Sequence, residues 1–358
     1  MAEKVLMRGN NAMAEAAVRA GCRYYFGYPI TPQNDVPEYL SGRMVEVGGT
    51  FIQAESEIAS IYMVLGASAA GGRVMTSSSS PGISLKQEGM SFLAGHELPA
   101  VIANVVRGGP GLGNIAGSQS DYFQMTRGGG HGDYRMIVLA PGNVQEMADL
   151  TYLAFDLADK YRTQSIILAD GMMGNTMEPV ILPEMRALDS LPDKDYVVDG
   201  MRGKRKSRAR LSLILEPKEL EDHNWKLQRK YKQIQENEVR YEEYELDDAE
   251  MVIVAFGTAA RVAKGAIRRA RAEGLKVGML RPITLWPFPS DVVRQLADRV
   301  KEFLVFELNA GQMIEDVKLS LEGSANVNFY GRPGGSIPTP RDLAKVIINR
   351  YSQKFRLI

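Results

Sequence analysis

Short apolar runs alternate with amphipathic stretches through the first half of the chain. "RYYFG" (23–27), "FIQA" (51–54), "RVMTS" (73–77), "PAVIANVV" (99–106), "MIVLAP" (136–141) and "SIILAD" (165–170) read as strands. Between them, "NAMAEAAVRAG", "SEIASIYMVLGASAAG", "GISLKQEGMSFLAG" and "VQEMADLTYLAFDLADKY" carry helical spacing, the first ending at Gly21 as a C′ glycine. Near-continuous apolar strands alternating with helices predict a parallel sheet covered on both faces. A glycine-rich loop spans 107–135. The pattern then breaks. Residues 186–248 hold a basic run, "RGKRKSRAR" (202–210), and a charged stretch with Leu220, Leu227, Tyr231 and Ile234 at helical spacing. They read as a charged linker with an exposed helix, the basic run being a solvated surface or a subunit contact. From 249 to 358 the alternation resumes ("MVIVAFG", "LKVGMLRP", "EFLVFELN", "NVNFYG"), which predicts a second doubly wound domain after a first over 1–185.

Composition narrows the function. The chain has 358 residues, 45% of them hydrophobic, enough for two domains with substantial cores. Lys+Arg and Asp+Glu both number 43. That balance argues against nucleic-acid binding driven by counterion release. Cys22 is the only cysteine, so neither a disulfide framework nor a four-thiolate iron–sulfur cluster can be built from this chain alone. The first 21 residues read as charged and helical rather than as a signal peptide. No apolar run approaches the roughly 20 residues of a membrane span. A soluble cytoplasmic protein is expected.

Ligands of parallel α/β sheets lie beyond the carboxyl ends of the strands. Four clusters fall there: Tyr28 to Pro32, Glu55 with Glu57, Ser77 to Pro81, and Arg107 with the glycines after it. Common motifs are missing. There is no G-x-G-x-x-G after the first strand and no P-loop. His96, His131 and His223 lack zinc spacing. "TSSSSPG" has no G-x-S-x-G elbow and reads more simply as a helix N-cap. In "GYPITPQND" (27–35), two prolines hold Thr31 in a stiff turn.

"GYPITP", "FIQAESEIASI", "SPGISLKQEGMSFLAGHELPAVI", "RGGPGLGN", "GGGHGDYRMIVLAPGNVQEM" and "LRPITLWPFP" together resemble the alpha subunit of the 2-oxoacid:ferredoxin oxidoreductases. The resemblance runs over nearly the whole chain. It is closest to the branched-chain type, which acts on 3-methyl-2-oxobutanoate, with the 2-oxoglutarate type a near relative. It implies a pyrimidine-binding domain for thiamine diphosphate, followed by a transketolase C-terminal-like domain that packs subunits together. It also implies partners: a beta subunit with the diphosphate and Mg²⁺ site, a ferredoxin-like iron–sulfur subunit with 4Fe-4S clusters, a gamma subunit, and external ferredoxin. Coenzyme A is the implied co-substrate. The Gly-Asp-Gly start of a diphosphate motif is absent here, and "LADGMMGN" (168–175) is only a partial echo, so Asp170 is assigned no metal.

Site residues follow from the same resemblance. Such enzymes hold N1′ of the aminopyrimidine with a Glu that opens a helix, nine residues before a Gly. Counting from Glu57 reaches Gly66; counting from Glu55 reaches Val64. Glu57 is therefore the expected catalytic and cofactor-binding carboxyl, and its alternative role is to favour the positive helix end. Thr31 is implied to donate to substrate, the alternative being a turn cap. Arg107 suits a 2-oxoacid carboxylate, the alternative being a structural ion pair. Tyr28 and Pro29 would line the pyrimidine pocket, and Ser80 stands where relatives often have Gly. Gln312, after a strand in "NAGQMIEDV", is more simply a helix-start contact. For a 2-oxoglutarate tail a second cation is needed; Lys86 and Arg127 are the candidates near the site clusters, and both have room to turn away. The rival readings are another oxoacid (2-oxoglutarate or pyruvate), a different thiamine enzyme, and a non-catalytic assembly subunit.

Overall fold

The computed structural model describes residues 3–201, 206 and 208–355; most of the basic run at 202–210 lies outside them. Along the chain the elements are β1 (Val5–Arg8), α1 (Gly9–Arg19), β2 (Tyr24–Gly27), α2 (Asp35–Glu46), β3 (Thr50–Gln53), α3 (Glu57–Ala69), β4 (Val74–Ser78), α4 (Ser80–His96) and β5 (Ala100–Val106). Then come α5 (Tyr122–Thr126), β6 (Ile137–Leu139), α6 (Val144–Tyr161), β7 (Gln164–Asp170), α7 (Gly171–Asn175) and β8 (Met177–Val180). After a long connection follow α8 (Pro217–Asn237), β9 (Tyr241–Tyr244), β10 (Met251–Val254), α9 (Gly257–Ala272), β11 (Val277–Pro282) and β12 (Thr284–Trp286). The chain ends with α10 (Ser290–Arg299), β13 (Glu302–Glu307), α11 (Met313–Leu321), β14 (Asn326–Gly331) and α12 (Pro340–Phe355).

The fold is α/β, with two mostly parallel sheets. The first has the strand order β12-β6-β7-β5-β4-β2-β3, the second β14-β13-β10-β11-β9. β5 and β7 are buried at every position, as a central strand covered on both faces must be. The helices form for local reasons too. Asn143 caps α6 by accepting from the Glu146 N–H at 2.8 Å, and Val144, Met147, Thr151, Ala154 and Ala158 make its buried stripe. In the first sheet β3 and β4 lie on opposite sides of β2, so the winding reverses between β2 and β4. The crevice beyond these two strands is where an open α/β sheet binds its ligand.

Three features depart from the pattern reading. The amino terminus begins as a strand: β1 pairs antiparallel with β8, Val5 opposite Val180. The helix expected to be exposed is half-embedded. Leu227, Tyr231 and Ile234 of α8 are buried, while Leu220 stays 39% exposed. β9, inside the expected linker, pairs antiparallel with β11, so the charged stretch supplies an edge strand. Its charged side chains suit an edge.

The two units share one seam. β12 comes from the second unit and pairs antiparallel with β6 of the first sheet. One apolar core runs from Met13 and Tyr25 through Phe256 to Met313, and a second cluster fills the far face of the second sheet. No helix among the described residues is long and apolar enough to cross a membrane.

Candidate functional site

Four of the loops that leave the first sheet converge at the winding reversal. β2 runs into Tyr28 and Pro29, both exposed. Behind them, buried Tyr25 and Ser77 share a hydrogen bond of 2.7 Å, Ser77 donates to Gln33, and the Gln33 amide donates to the Tyr28 carbonyl at 3.3 Å. This relay of polar groups anchors the turn to the core. Thr31 sits at its apex, exposed, accepting a 3.3 Å bond from the Asn34 amide, which leaves its own proton free to donate.

Arg107, at the end of β5, reaches back over that turn. Its two terminal nitrogens donate to the Thr31 and Leu112 carbonyls, each at 2.9 Å, and its Nε is buried without a partner. A guanidinium has five N–H groups. Two are spent on the loops, and three remain. Ser80 closes the ring of contacts: its hydroxyl accepts from the Arg107 N–H at 3.1 Å and donates to the Arg107 carbonyl at 3.3 Å. Asp121 lies beside it, its carboxyl pushed up by burial against the hydrogen bonds of Ser80 and Asn104.

Glu57 is the first residue of α3. Ser56 caps the helix by accepting from the Ala59 N–H at 3.1 Å. The geometry separates the two candidate acids: Glu55 is exposed on the loop, whereas Glu57 is 6% exposed. Neither Glu57 carboxylate oxygen has a hydrogen-bond partner among the described residues. Opposite lies Gly82 in the first turns of α4. A Cβ there would sit 2.6 Å from Glu57 Oε1 and 2.2 Å from Ser78 Oγ, so only glycine lets the α4 backbone come so near the acid. The hydroxyls of Ser78 and Ser79 are buried and unpaired.

The expected second cations both turn away from this crevice. Lys86 is fully buried and donates to Thr76 Oγ1 and to the Glu57 carbonyl. Arg127 pairs with Asp316 at 2.8 Å across the seam. Gln312 also belongs to the seam, accepting from the Phe123 N–H and donating to the Ser120 carbonyl. Asp170 accepts from the Met172 and Met173 N–H groups and caps α7. Sequence reasoning missed Gln33, its bond from Ser77 and the burial of Lys86. Lys86 left a signal: Ile83, Lys86, Gln87 and Met90 fall at helical spacing, which puts the lysine on the inward stripe.

The crevice is open. A cleft of about 840 Å³ lies elsewhere, beneath α8, lined by Arg135, Trp225, Gln228, Tyr231 and Trp286. Around Glu57 and Thr31 the surface instead presents Tyr28, Ile58, Leu85, Leu112, Ile115 and Met172, all exposed. Exposed apolar residues of this kind are typical of interaction surfaces.

Residues 15–248 match the family Pyruvate flavodoxin/ferredoxin oxidoreductase, thiamine diP-bdg, and residues 249–343 match Pyruvate:ferredoxin oxidoreductase core domain II. The ketoisovalerate oxidoreductase subunit VorB of Methanothermobacter marburgensis is 54% identical over 96% of both chains. The chain belongs to the 2-oxoacid:ferredoxin oxidoreductases. Within that family it is an alpha-type subunit, most like the branched-chain type. Among solved structures, the 2-oxoglutarate:ferredoxin oxidoreductase from Magnetococcus marinus with 2-oxoglutarate, coenzyme A and succinyl-CoA bound superimposes with a TM-score of 0.87 at 28% identity. That match covers 97% of this chain and 65% of the other. A split-gene transketolase, an inactive beta4 tetramer, shares the fold alone, with a TM-score of 0.60 at 14% identity over 96% of this chain and 97% of that one. The protein is thus one subunit of an oxidoreductase that works with partner subunits, and its first domain is of the thiamine diphosphate-binding kind.

Proposed function

We propose that this chain holds the aminopyrimidine half of thiamine diphosphate. In this reading it serves a complex that converts 3-methyl-2-oxobutanoate to the acyl-coenzyme A and CO₂, sending two electrons to ferredoxin. The observation that carries the reading is the Glu57 carboxyl: buried, free of protein hydrogen bonds, and facing the Gly82 backbone beside an unpaired Ser78 hydroxyl. These groups fit a flat heterocycle with a ring nitrogen to bond and polar edges to satisfy. Bound there, thiamine diphosphate supplies the carbon nucleophile and the electron sink for decarboxylation.

This chain's residues have narrower tasks. Glu57 holds and returns a proton at N1′ of the pyrimidine. Tyr28 and Pro29 flank the ring, and Ser80 keeps the Arg107 backbone in register with α4. Thr31 offers its free proton to the substrate oxygen from a turn that is already fixed, so little order is lost on binding. Arg107 turns its unspent N–H groups to the substrate carboxylate while its other bonds tie the two loops. The beta subunit, docking on the apolar rim, brings the diphosphate and Mg²⁺ and excludes water. The 4Fe-4S clusters and the coenzyme A site lie on partner chains, a ferredoxin-like subunit and a gamma subunit among them. The complex works in the cytoplasm.

Two findings support a branched-chain tail over 2-oxoglutarate: the identity to a ketoisovalerate oxidoreductase subunit, and the engagement elsewhere of both candidate second cations, Lys86 and Arg127. A buried carboxylate tail without a cation is costly, so a site without one prefers an apolar tail. The test is coenzyme A-dependent dye reduction by the anaerobic, co-expressed complex, offered 3-methyl-2-oxobutanoate, 2-oxoglutarate and pyruvate in turn. Preference for the first is expected. Preference for either other acid reassigns the substrate. No reduction from a complex with intact clusters and bound cofactor would leave an assembly subunit.

A further inference from the structure

Lys86 is the least expected side chain in the molecule. It is fully buried in α4, directly under the first turn of α3. An ammonium has three protons to place. Here they meet three acceptors: Thr76 Oγ1 at 3.1 Å, the Glu57 carbonyl at 3.3 Å, and Ser60 Oγ. Ser60 in turn donates to the same Glu57 carbonyl at 2.8 Å. One of the three bonds therefore reaches the Glu57 backbone directly and a second reaches it through Ser60, and Glu57 is the acid at the crevice.

The arrangement has a cost. Among the described residues no carboxylate forms an ion pair with Lys86, and burial lowers its amine to about 7, only partly offset by the charge of Glu57. Glu57 is the one charged group acting on it. β4 presents the neutral Thr76 hydroxyl, while Gln87 and Glu88 on α4 bond elsewhere, to the Gly129 N–H and to Tyr62. A methionine has the same reach, needs no acceptors and would pack here without burying a charge. A buried amine that costs stability and has no carboxylate paired to it is a candidate for a role in function.

We infer that Lys86 is the positioning residue of Glu57, clamping the first turn of α3 so that the carboxyl faces the crevice at a fixed height with a cation behind it. The inference rests on the assignment of Glu57 as the proton-handling acid. It separates function from stability, because a clamp that costs stability is removed at a gain in stability and a loss in turnover.

The experiment compares Lys86→Met and Glu57→Gln with the wild type in the co-expressed complex. Thermal midpoint, thiamine diphosphate affinity and turnover are read between pH 6 and pH 9. Lys86→Met is expected to melt at the wild-type temperature or above it, to bind thiamine diphosphate more weakly, and to turn over about 10- to 100-fold more slowly, the scale of a small misplacement at an active site. The pH dependence has a definite sign. The unfolded lysine keeps its ordinary value of 10.5 and the folded one sits at about 7. Between these the unfolded chain holds the extra proton, so wild-type stability rises as pH climbs from 7, and the rise is absent in Lys86→Met. A variant that melts lower or fails to assemble, or one with unchanged turnover and cofactor affinity, overturns the inference. If Glu57→Gln itself stays active, the assignment of Glu57 falls, and the clamp falls with it. If Glu57→Gln is dead and Lys86→Met is fully active, the clamp alone is wrong.

Discussion

The seam between the two sheets and the crevice beyond β2 and β4 are both polar, yet they are finished to different degrees. At the seam Glu307, Gln119 and Tyr122 are paired within the chain. Glu307 is fully buried and accepts from the N–H groups of Gln312, Met313 and Ile314 and from the Asn309 amide. Gln119 accepts from the Leu308 N–H and donates to the Phe256 carbonyl. Tyr122 donates to Asp316, which also receives Arg127. At the crevice, by contrast, the buried Ser78 and Ser79 hydroxyls and the Arg107 Nε have no partner among the described residues, the Glu57 carboxyl takes no hydrogen bond from them, and the rim is exposed and apolar. Unpaired buried polar atoms are costly, and native chains keep them where something else completes the bonds. The seam is a finished piece of folding. The crevice, in the reading proposed above, is half of a site.

That contrast can be pressed at both ends. The largest effect is expected from Glu57→Gln, which keeps shape but cannot cycle a proton. Turnover of the complex should fall about 10³-fold, with the thermal midpoint unchanged, while Glu55→Gln stays near wild type. Next comes Glu307→Ala, which strands several buried donors at the start of α11. It should cost about 3 kcal/mol in denaturant unfolding, and a loss no larger than a surface mutation would show the seam to be wetter than it looks. Thr31→Val removes the hydroxyl at the cost of one long, exposed bond from Asn34 within the turn, and kcat/KM should drop about tenfold, the worth of one hydrogen bond. Smallest is Tyr122→Phe, which should lower stability by about 1 kcal/mol and leave turnover alone, because Arg127 still holds Asp316.

The central strands were legible because β5 and β7 are apolar at nearly every position, a signal with few alternatives. β1 and β9 were not. Each is only four residues long: β1 (VLMR) is apolar but too short to stand apart from the helix that follows it, and β9 (YEEY) lies in a charged stretch with neither alternation nor apolar content. The embedded side of α8 was visible as a stripe, but what it would pack against was not, since Tyr231 meets Trp286 some 55 positions away. At the crevice, Thr31, Arg107 and Glu57 were singled out because each follows a strand or opens a helix in a recognisable motif. Their mutual contacts were invisible. The bond from Arg107 to the Thr31 carbonyl spans 76 residues, and the partnership of Lys86 with the Glu57 carbonyl spans 29. Local pattern carries the elements, whereas the crossovers between them decide which loops meet.

The claim that this chain carries half a site is tested most directly by thiamine diphosphate binding with Mg²⁺, measured calorimetrically on the isolated chain and on the co-expressed complex. The account predicts tight binding by the complex and none measurable by the chain alone. Binding of equal strength by the isolated chain would contradict it.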